Sequence, residues 1–568
     1  MKTSEKVEFT AADSVVQELV KANVEIVFGI VSIHNMPIYD AIAKNSDIHM
    51  VAARGESGAV NMADGYARAT GKLGVVITST GAGAGNAAGA LTESWNKGTP
   101  LLHITGEVAS DYIGKGKRYI HECKDQLAMM EGASKQALLL QEPEQTSTFI
   151  RKAIGNSKTP PVGPITVLVP TDLQTVITTN SEVINPTEDT LEEFKERTAF
   201  FSEEMIQKIS AAKRPIIWAG GGVIDSGASE EVKQLAERMQ SAVITSESGK
   251  GSIPENHPLC IGSFTSEPQV EKIIKESDLL ISIGTRFRGE ETNDWTLPFP
   301  AEHIQIDADP EAINLNYQTS YGLVGDAKSI LQNLVHQLSE KEMASAKSYA
   351  KEIESVRNQV RSALREAVAP YDQFADEMRR LMPNDAILVR DVTIPAYLWG
   401  NRLIDIYQPR TSISASGGGI GQGLPTAIGA QIDDKDRTVV LMAGDGGFMV
   451  NVGELATAAE EELPLVVILF DDGGYGILRY LQNAAYGRLA AVNLNNPDYV
   501  MMSQSMGFEA EKVQSAGEFT SALETAIKRR RPSMIVVDMD AVGPMNHPYE
   551  ESAEYIESFH PKKLSHDG

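Results

Sequence analysis

Two apolar runs that each end in an acidic glycine turn constrain this chain most. Thr438 to Ala443 reads as a strand and stops at Gly444-Asp445-Gly446; Leu465 to Phe470 reads as a second and stops at Asp471-Asp472-Gly473-Gly474. A helical stretch, Val452 to Glu461, lies between them. Two strands joined by a helix run parallel, so both acidic ends open on the same side of one sheet. Carboxylates and bare glycine amides then converge on one crevice, the donor set that a hard cation and a phosphate group need.

The same alternation recurs along the 568 residues and predicts an α/β protein of three Rossmann-like, doubly wound parallel-sheet domains. They fall at residues 8–180, 200–340 and 370–545, with a polar tail over 546–568. In the first block strands are expected at Val24–Phe28, Gly74–Thr78, Leu101–Thr105 and Ile165–Val169. In the second they are expected at Pro215–Trp218, Ala242–Thr245, Leu279–Ile283 and His303–Ile306. Asn180 to Phe194, polar and carrying Pro186, reads as a linker, and Ser339 to Val368 as a charged helical connection.

Composition narrows the function. A net charge of −26 and a pI near 4.9 argue against nucleic acid or an anionic membrane as partner. Cys123 and Cys260 are too few for a disulfide framework and match no metal-ligand spacing. The N-terminal MKTSEKVEFTAAD lacks a signal-peptide core, and no apolar run reaches the roughly 18 residues of a membrane span. A cytoplasmic protein is expected.

Two further runs join the first. Ala53 to Asn96 carries Glu56 just before ADGYARATGK (Ala63 to Lys72), and Ala415 to Ala430 reads ASGGGIGQGLPTAIGA. With the Gly444–Gly476 segment they resemble, in the same order, the thiamin diphosphate (ThDP) enzymes of the decarboxylase and acetolactate synthase superfamily. Acetolactate synthases, benzoylformate decarboxylases and benzaldehyde lyases belong to that group, and the resemblance covers about residues 8 to 545. It implies a pyrimidine-binding first domain, a central domain and a diphosphate-binding third domain.

It also implies roles. Glu56 is placed at N1′ of the aminopyrimidine, where a shared proton selects the reactive tautomer; such a carboxyl should be desolvated, with a raised pKa. A lone Glu in a loop is ordinarily a solvated charge, so the assignment rests on the surrounding run. Asn86 is counted with the cofactor-binding residues. Ile420, beside Gly418, falls where the family props the cofactor into a bent shape, although GGGIG alone reads only as a tight turn. Asp445 and Asp472 become side-chain ligands of Mg²⁺ and Gly474 a carbonyl ligand. Gly444, Gly446, Gly447, Tyr475, Gly476 and Ile477 line the cofactor, the amides of Gly446, Gly447, Tyr475 and Gly476 serving as phosphate donors. One departure stands out: the family has Asn where this chain has Asp472, and a neutral residue where it has Asp471. The extra carboxylate predicts a stronger cation requirement.

The middle block (RPIIWAGGGVIDSG, Arg214 to Gly227; ISIGTRFR, Ile281 to Arg288) is similar to the family's central domain, which binds FAD in acetolactate synthases and ADP in oxalyl-CoA decarboxylases. Its glycine turn lacks the spaced GxGxxG pattern, so an empty central domain is expected, with FAD or ADP the alternative. Arg286 and Arg288 read equally well as a salt-bridged strand end.

On the substrate side the serine and catalytic histidine of benzoylformate decarboxylases are replaced by Ile33 and Ser79. A lyase-like histidine falls on His34. His121 and Glu122 stand near the position of the glutamine of acetolactate synthases. His34 and His121 are therefore the catalytic candidates beside Glu56. Leu478, Arg479 and Tyr480 begin the helix that borders the pocket, with Arg479 a candidate for a substrate carboxylate. The resemblance implies decarboxylation of a 2-oxo acid with aldehyde release or carboligation, in a homodimer or homotetramer whose sites lie between subunits. Alternatives are an acyloin or aldehyde lyase or carboligase acting without decarboxylation, an oxalyl-CoA-type acyl-CoA decarboxylase, and a non-catalytic ThDP-binding protein.

Overall fold

The computed structural model describes residues 9–45, 47–178 and 201–546. The expected linker Asn180–Phe194 and all but the first residue of the polar tail lie outside the described residues.

Three six-stranded sheets carry the architecture, and every strand pairing within them is parallel. Runs such as Leu279–Ile283 (LLISI) and Val439–Gly444 (VVLMAG) are buried along their whole length. That is why they show no polar alternation: helices cover both faces of a parallel sheet.

In chain order, the strands of the first sheet are Ile26–Gly29, His49–Ala52, Gly74–Thr78, Leu101–Glu107, Gln136–Leu139 and Ile165–Pro170. They lie side by side as second, first, third, fourth, sixth, fifth. The third sheet uses Ile387–Arg390, Ser412–Ser414, Val439–Gly444, Val466–Asp471, Glu509–Val513 and Ser533–Asp538 in the identical order. The middle sheet is wound differently. Its strands Pro215–Ala219, Ala242–Thr245, Cys260–Gly262, Leu279–Ile283, His303–Asp307 and Tyr321–Val324 run third, second, first, fourth, fifth, sixth. Ligands in such sheets bind beyond the strand ends where the order reverses. That point lies between the first and third strands of the outer sheets, and between the first and fourth of the middle one.

The third block is the hub. One apolar core joins it to the middle block and another joins it to the first. The second of these junctions is a crossing of two helices, Glu56–Thr70 and Gly423–Ile432. A Cβ on Gly65 would stand 2.1 Å from the Thr426 carbonyl oxygen, and one on Gly429 would stand 1.9 Å from that of Met62. Only glycine lets the two backbones touch. The charged connection after Ser339 forms the helix Lys347–Val368, whose Tyr349, Ile353, Val360, Leu364 and Val368 are buried. Among the described residues no helix is long and apolar enough to cross a membrane.

Candidate active site

Beside the switch point of the third sheet, Gly444 on its third strand pairs with Phe470 on the fourth, so Asp445 and Asp471-Asp472 leave the sheet side by side. Asn496 sits between them, its amide donating to Asp445 Oδ2 and, at 2.8 Å, to Asp471 Oδ1. Left-handed backbone at Gly473 (φ +80°) and the open φ of Gly474 (+147°) fold the turn back. The Gly474 carbonyl oxygen then lies 2.9 Å from where a Cβ on Gly446 would be. Asp472 packs against Gly476, where a Cβ would meet its carboxylate at 1.9 Å.

Burial and the neighbouring carboxylates hold Asp445 above the usual range, Asp471 being the one that acts on it. Burial and then Asp445 push Asp472 up to about 7. Asp472 Oδ1 is buried without a hydrogen-bond partner. Two crowded carboxylates, an orphaned oxygen and a facing carbonyl make a donor set suited to a hard divalent cation that shares its remaining positions with a phosphate. Among the described residues no group of three or more His, Cys, Asp or Glu forms a metal site by itself.

Two expectations change here. The Tyr475 N–H is taken by the Val492 carbonyl at 2.9 Å. That amide is not free for phosphate, because the turn uses it to hold its own shape. Arg479 is held by the same turn, donating to Asn493 Oδ1 and to the Asp472 carbonyl, so it is not free for a substrate carboxylate. Ile477 is half-buried and Leu478 exposed on the helix Gly476–Tyr486 that follows.

Ile420 stands on a loop kinked by left-handed Gly418 and Gly421 (φ +77° and +76°). It is 39 % exposed, and its Cβ lies over Gly447. Asp391, buried at the end of the first strand, holds the loop by accepting from the Gly421 and Gly423 amides at 3.2 and 3.1 Å. Glu93 of the first block clamps the other end through the amides of Ser416 and Gly417. An apolar side chain thus projects from a rigid loop beside the carboxylate pair.

Glu56 begins its helix at the rim of the first block. Asn86 Nδ2 donates to its Oε2 at 3.1 Å, and a Cβ on Gly83 would come within 2.7 Å of Oε1. The buried carboxylate of Glu454, from the third block, accepts the Arg54 and Gly55 amides at 3.0–3.1 Å and so fixes where that helix starts. Glu56 itself is only half-buried. The full desolvation expected of it is therefore not met within one chain.

At the switch point of the first sheet, His34 and His121 meet edge to face, their ring centroids 5.0 Å apart. His34 is 3 % exposed and its Nδ1 has no partner. Burial, then His121, holds its pKa below the usual value. His121 is exposed, in left-handed backbone (φ +62°) with its carbonyl against Gly81. Gln126 is structural: it accepts from Thr80 and the Gly81 amide and donates to the Gly106 carbonyl.

The middle block has its own cavity of ≈ 300 Å³ beyond the strand ends, lined by Gly221, Gly222, Gly284 and Asp307, with Trp95 and Lys97 from the first block. Arg286 pairs with Asp309, and Arg288 donates to the Ser416 carbonyl of the Ile420 loop.

Asn496, Asp391, Glu93 and Glu454 escaped the sequence reading. Glu93 and Glu454 lie inside the runs Ala53–Asn96 and Gly444–Gly476, Asp391 and Asn496 outside them; all four act through pairings that only the fold creates.

Comparison with known proteins places these features in one lineage. Residues 9–129, 202–334 and 396–537 match the profiles described as the thiamine pyrophosphate enzyme N-terminal TPP binding domain, central domain and C-terminal TPP binding domain. A probable acetolactate synthase large subunit of Methanococcus aeolicus is 32 % identical, the match covering 93 % of this chain and 92 % of that protein. A probable 2-ketoarginine decarboxylase of Pseudomonas aeruginosa is 31 % identical over 93 % of each chain. Acetolactate synthase isozyme 3 large subunit of Escherichia coli is 28 % identical over 94 % and 95 %.

Proposed function

The chain belongs to the thiamine pyrophosphate enzyme family, with the decarboxylase or carboligase activity of that group, and from this premise we propose that it decarboxylates a 2-oxo acid, with Mg²⁺ as the metal. The product is released as an aldehyde or ligated to a second carbonyl. The crowded Asp445–Asp472 pair with its orphaned Oδ1 is the observation that carries the reading. Asp445, Asp472 and the Gly474 carbonyl would hold Mg²⁺ against the diphosphate, Ile420 would support the bend, and Glu56 would hold the aminopyrimidine. Bound thiamin diphosphate supplies the electron sink for the charge left as CO₂ departs.

The chain's own residues do the rest. Asn86 orients the Glu56 carboxyl, and Glu454 fixes the helix start that presents it. His34, buried and neutral, accepts a hydrogen bond at its free Nδ1. His121, exposed beside it, carries a proton to or from the reacting oxygen or carbon. The half-buried Glu56 supports a site completed by a second copy of the chain, whose third block would bury it; we infer a homodimer or homotetramer. Two unpaired thiols, Cys123 and Cys260, fit a reducing compartment such as the cytoplasm.

CO₂ release and product analysis with a panel of 2-oxo acids, ThDP and Mg²⁺, with and without an aldehyde acceptor, test the reaction. Glu56→Gln should abolish turnover. Turnover retained in that variant, or silence across the panel with ThDP bound, would overturn the reading in favour of cleavage without decarboxylation.

A further inference from the structure

Ser416, four residues before Ile420, is held from both of the other blocks. Its amide donates to Glu93 of the first block, and its carbonyl accepts from Arg288 Nη1 of the middle block at 2.6 Å. Glu93 also takes the Gly417 amide at 2.6 Å. On the far side of Ile420, Asp391 takes the Gly421 amide at 3.2 Å, and Asn451 Nδ2 donates to the Gly421 carbonyl at 2.7 Å. Between these two anchors stand Gly418, Gly419 and Ile420, and the glycines have no side chain to pack. The seat of Ile420 therefore follows from where Ser416 and Gly421 are pinned.

The arm that reaches Ser416 has a fixed base. Phe287, just before Arg288, is in left-handed backbone (φ +49°), a costly conformation for so bulky a residue. Its surroundings hold it there. The ring is 2 % exposed, its centroid 5.1 Å from that of Tyr317 and 5.4 Å from those of Trp218 and Phe299. Its carbonyl accepts from Trp295 Nε1 at 2.7 Å, and the next carbonyl, that of Arg288, accepts from Thr292 Oγ1 at 2.7 Å. The two arginines of this run then part. Arg286 pairs with Asp309 inside its own block, whereas the Arg288 guanidinium crosses to the third. Its pairing with Glu290 is longer, 3.8 Å, and that partner is largely exposed, so the Ser416 carbonyl is the contact that fixes it.

We propose that Arg288 is a positioning residue for the cofactor reaction, setting Ile420 from the middle block by pinning the Ser416 carbonyl opposite the first-block clamp on the Ser416 amide. A hydrogen bond from a charged donor is stronger than a neutral one. Without it the Ser416 peptide is held from one side only, and the following glycines pass the freedom on to Ile420. This rests on the reading in which Ile420 supports the bend of thiamin diphosphate, and it adds the middle block to the parts that shape the site.

The test uses the holoenzyme with Arg288→Gln, which removes the charge, and Arg288→Lys, which keeps a cationic donor. Arg288→Met, which keeps the apolar stem, takes the place of Arg288→Gln if that variant fails to fold. Exchange of the Gly418, Gly419 and Ile420 amide protons should quicken by about tenfold in Arg288→Gln and recover in part in Arg288→Lys. Calorimetry should show ThDP bound about tenfold more weakly; neither measurement involves turnover. kcat should fall by about tenfold with KM little changed, because a displaced prop misaligns the reacting atoms without removing a substrate contact. Ile420→Ala supplies the second arm: if Arg288 acts through Ile420, Arg288→Gln adds nothing to the losses of Ile420→Ala. Losses that multiply in the double variant overturn the inference, as do unchanged loop exchange and kcat in Arg288→Gln. Ile420→Ala with full turnover and full ThDP affinity refutes the prop itself, and the positioning role falls with it. Faster loop exchange in Arg288→Gln would in that case still show the hold on Ser416, so the two failures are told apart.

Discussion

Substituting Gly65 by alanine tests the contact on which the relation between the first and third blocks depends. The added methyl would sit 2.1, 2.8 and 2.9 Å from the carbonyl oxygen, carbon and Cα of Thr426. Ordinary van der Waals contact begins near 3.4 Å, so the oxygen must retreat by more than an ångström, and it belongs to a helix backbone. Gly65 lies mid-helix in ordinary helical backbone, where alanine would by propensity alone gain about 1 kcal/mol. Overpacking costs about 1–3 kcal/mol, and more where the neighbour cannot yield. Net destabilisation of about 2 kcal/mol or more is therefore expected, with the urea midpoint falling and ThDP binding weakening as Glu56 moves off its seat. Gly89→Ala is the internal control, because nothing lies within 4 Å of its Cβ position on the helix Ala82–Lys97. It should be neutral or stabilising. A Gly65→Ala protein as stable as Gly89→Ala would refute the close crossing.

Three other outcomes follow from features of the site and the sheets. Asp472→Asn removes one of two mutually repelling carboxylates and should tighten ThDP in metal-poor buffer by about tenfold; an unchanged dissociation constant would count against the crowded-pair account. Glu454→Gln sets an amide against the Arg54 and Gly55 donors and should cost about 1–3 kcal/mol in unfolding experiments, with weaker ThDP binding. His103 and His303, buried within their sheets, have pKa values held down to about 3 and about 4 by burial. Only the unfolded chain takes up their protons below about pH 6.5, so each should remove about 1.4 kcal/mol of stability per pH unit from there down towards its folded value, and none above. His303→Gln should flatten the pH dependence of the urea midpoint between 6.5 and 5; an unaltered slope would remove this histidine from the account.

The central strands were legible because burial on both faces leaves an unbroken apolar run. Gly74–Thr78, Ala242–Thr245 and Leu279–Ile283 form over the expected residues. Edge strands such as His49–Ala52 and Tyr321–Val324 were not, since one flank is exposed and the run breaks into mixed residues. Strand order was invisible to periodicity, and with it the match between the first and third sheets. Within the site, residues announced by glycine turns fell where local conformation demands glycine. The supports Asn496, Asp391 and Glu93 reach the site from loops, strand ends and a helix whose local sequence resembles any other. Arg479 was misjudged for the converse reason: its spacing on the helix was readable, its partners on the acidic turn were not.

Asn496 arrives from a stretch with no regular secondary structure, fastened to the acidic glycine turn by Tyr475 N–H to Val492 and Leu494 N–H to Gly473. When that stretch opens, the amide donor between the two carboxylates leaves with it, and their uncompensated charge draws it back. In the proposed Mg²⁺ site a cation would compensate the same carboxylates, so its binding and the opening of the 492–496 segment would be coupled. Exchange of the Tyr475 and Leu494 amide protons, followed with and without Mg²⁺, would measure that coupling.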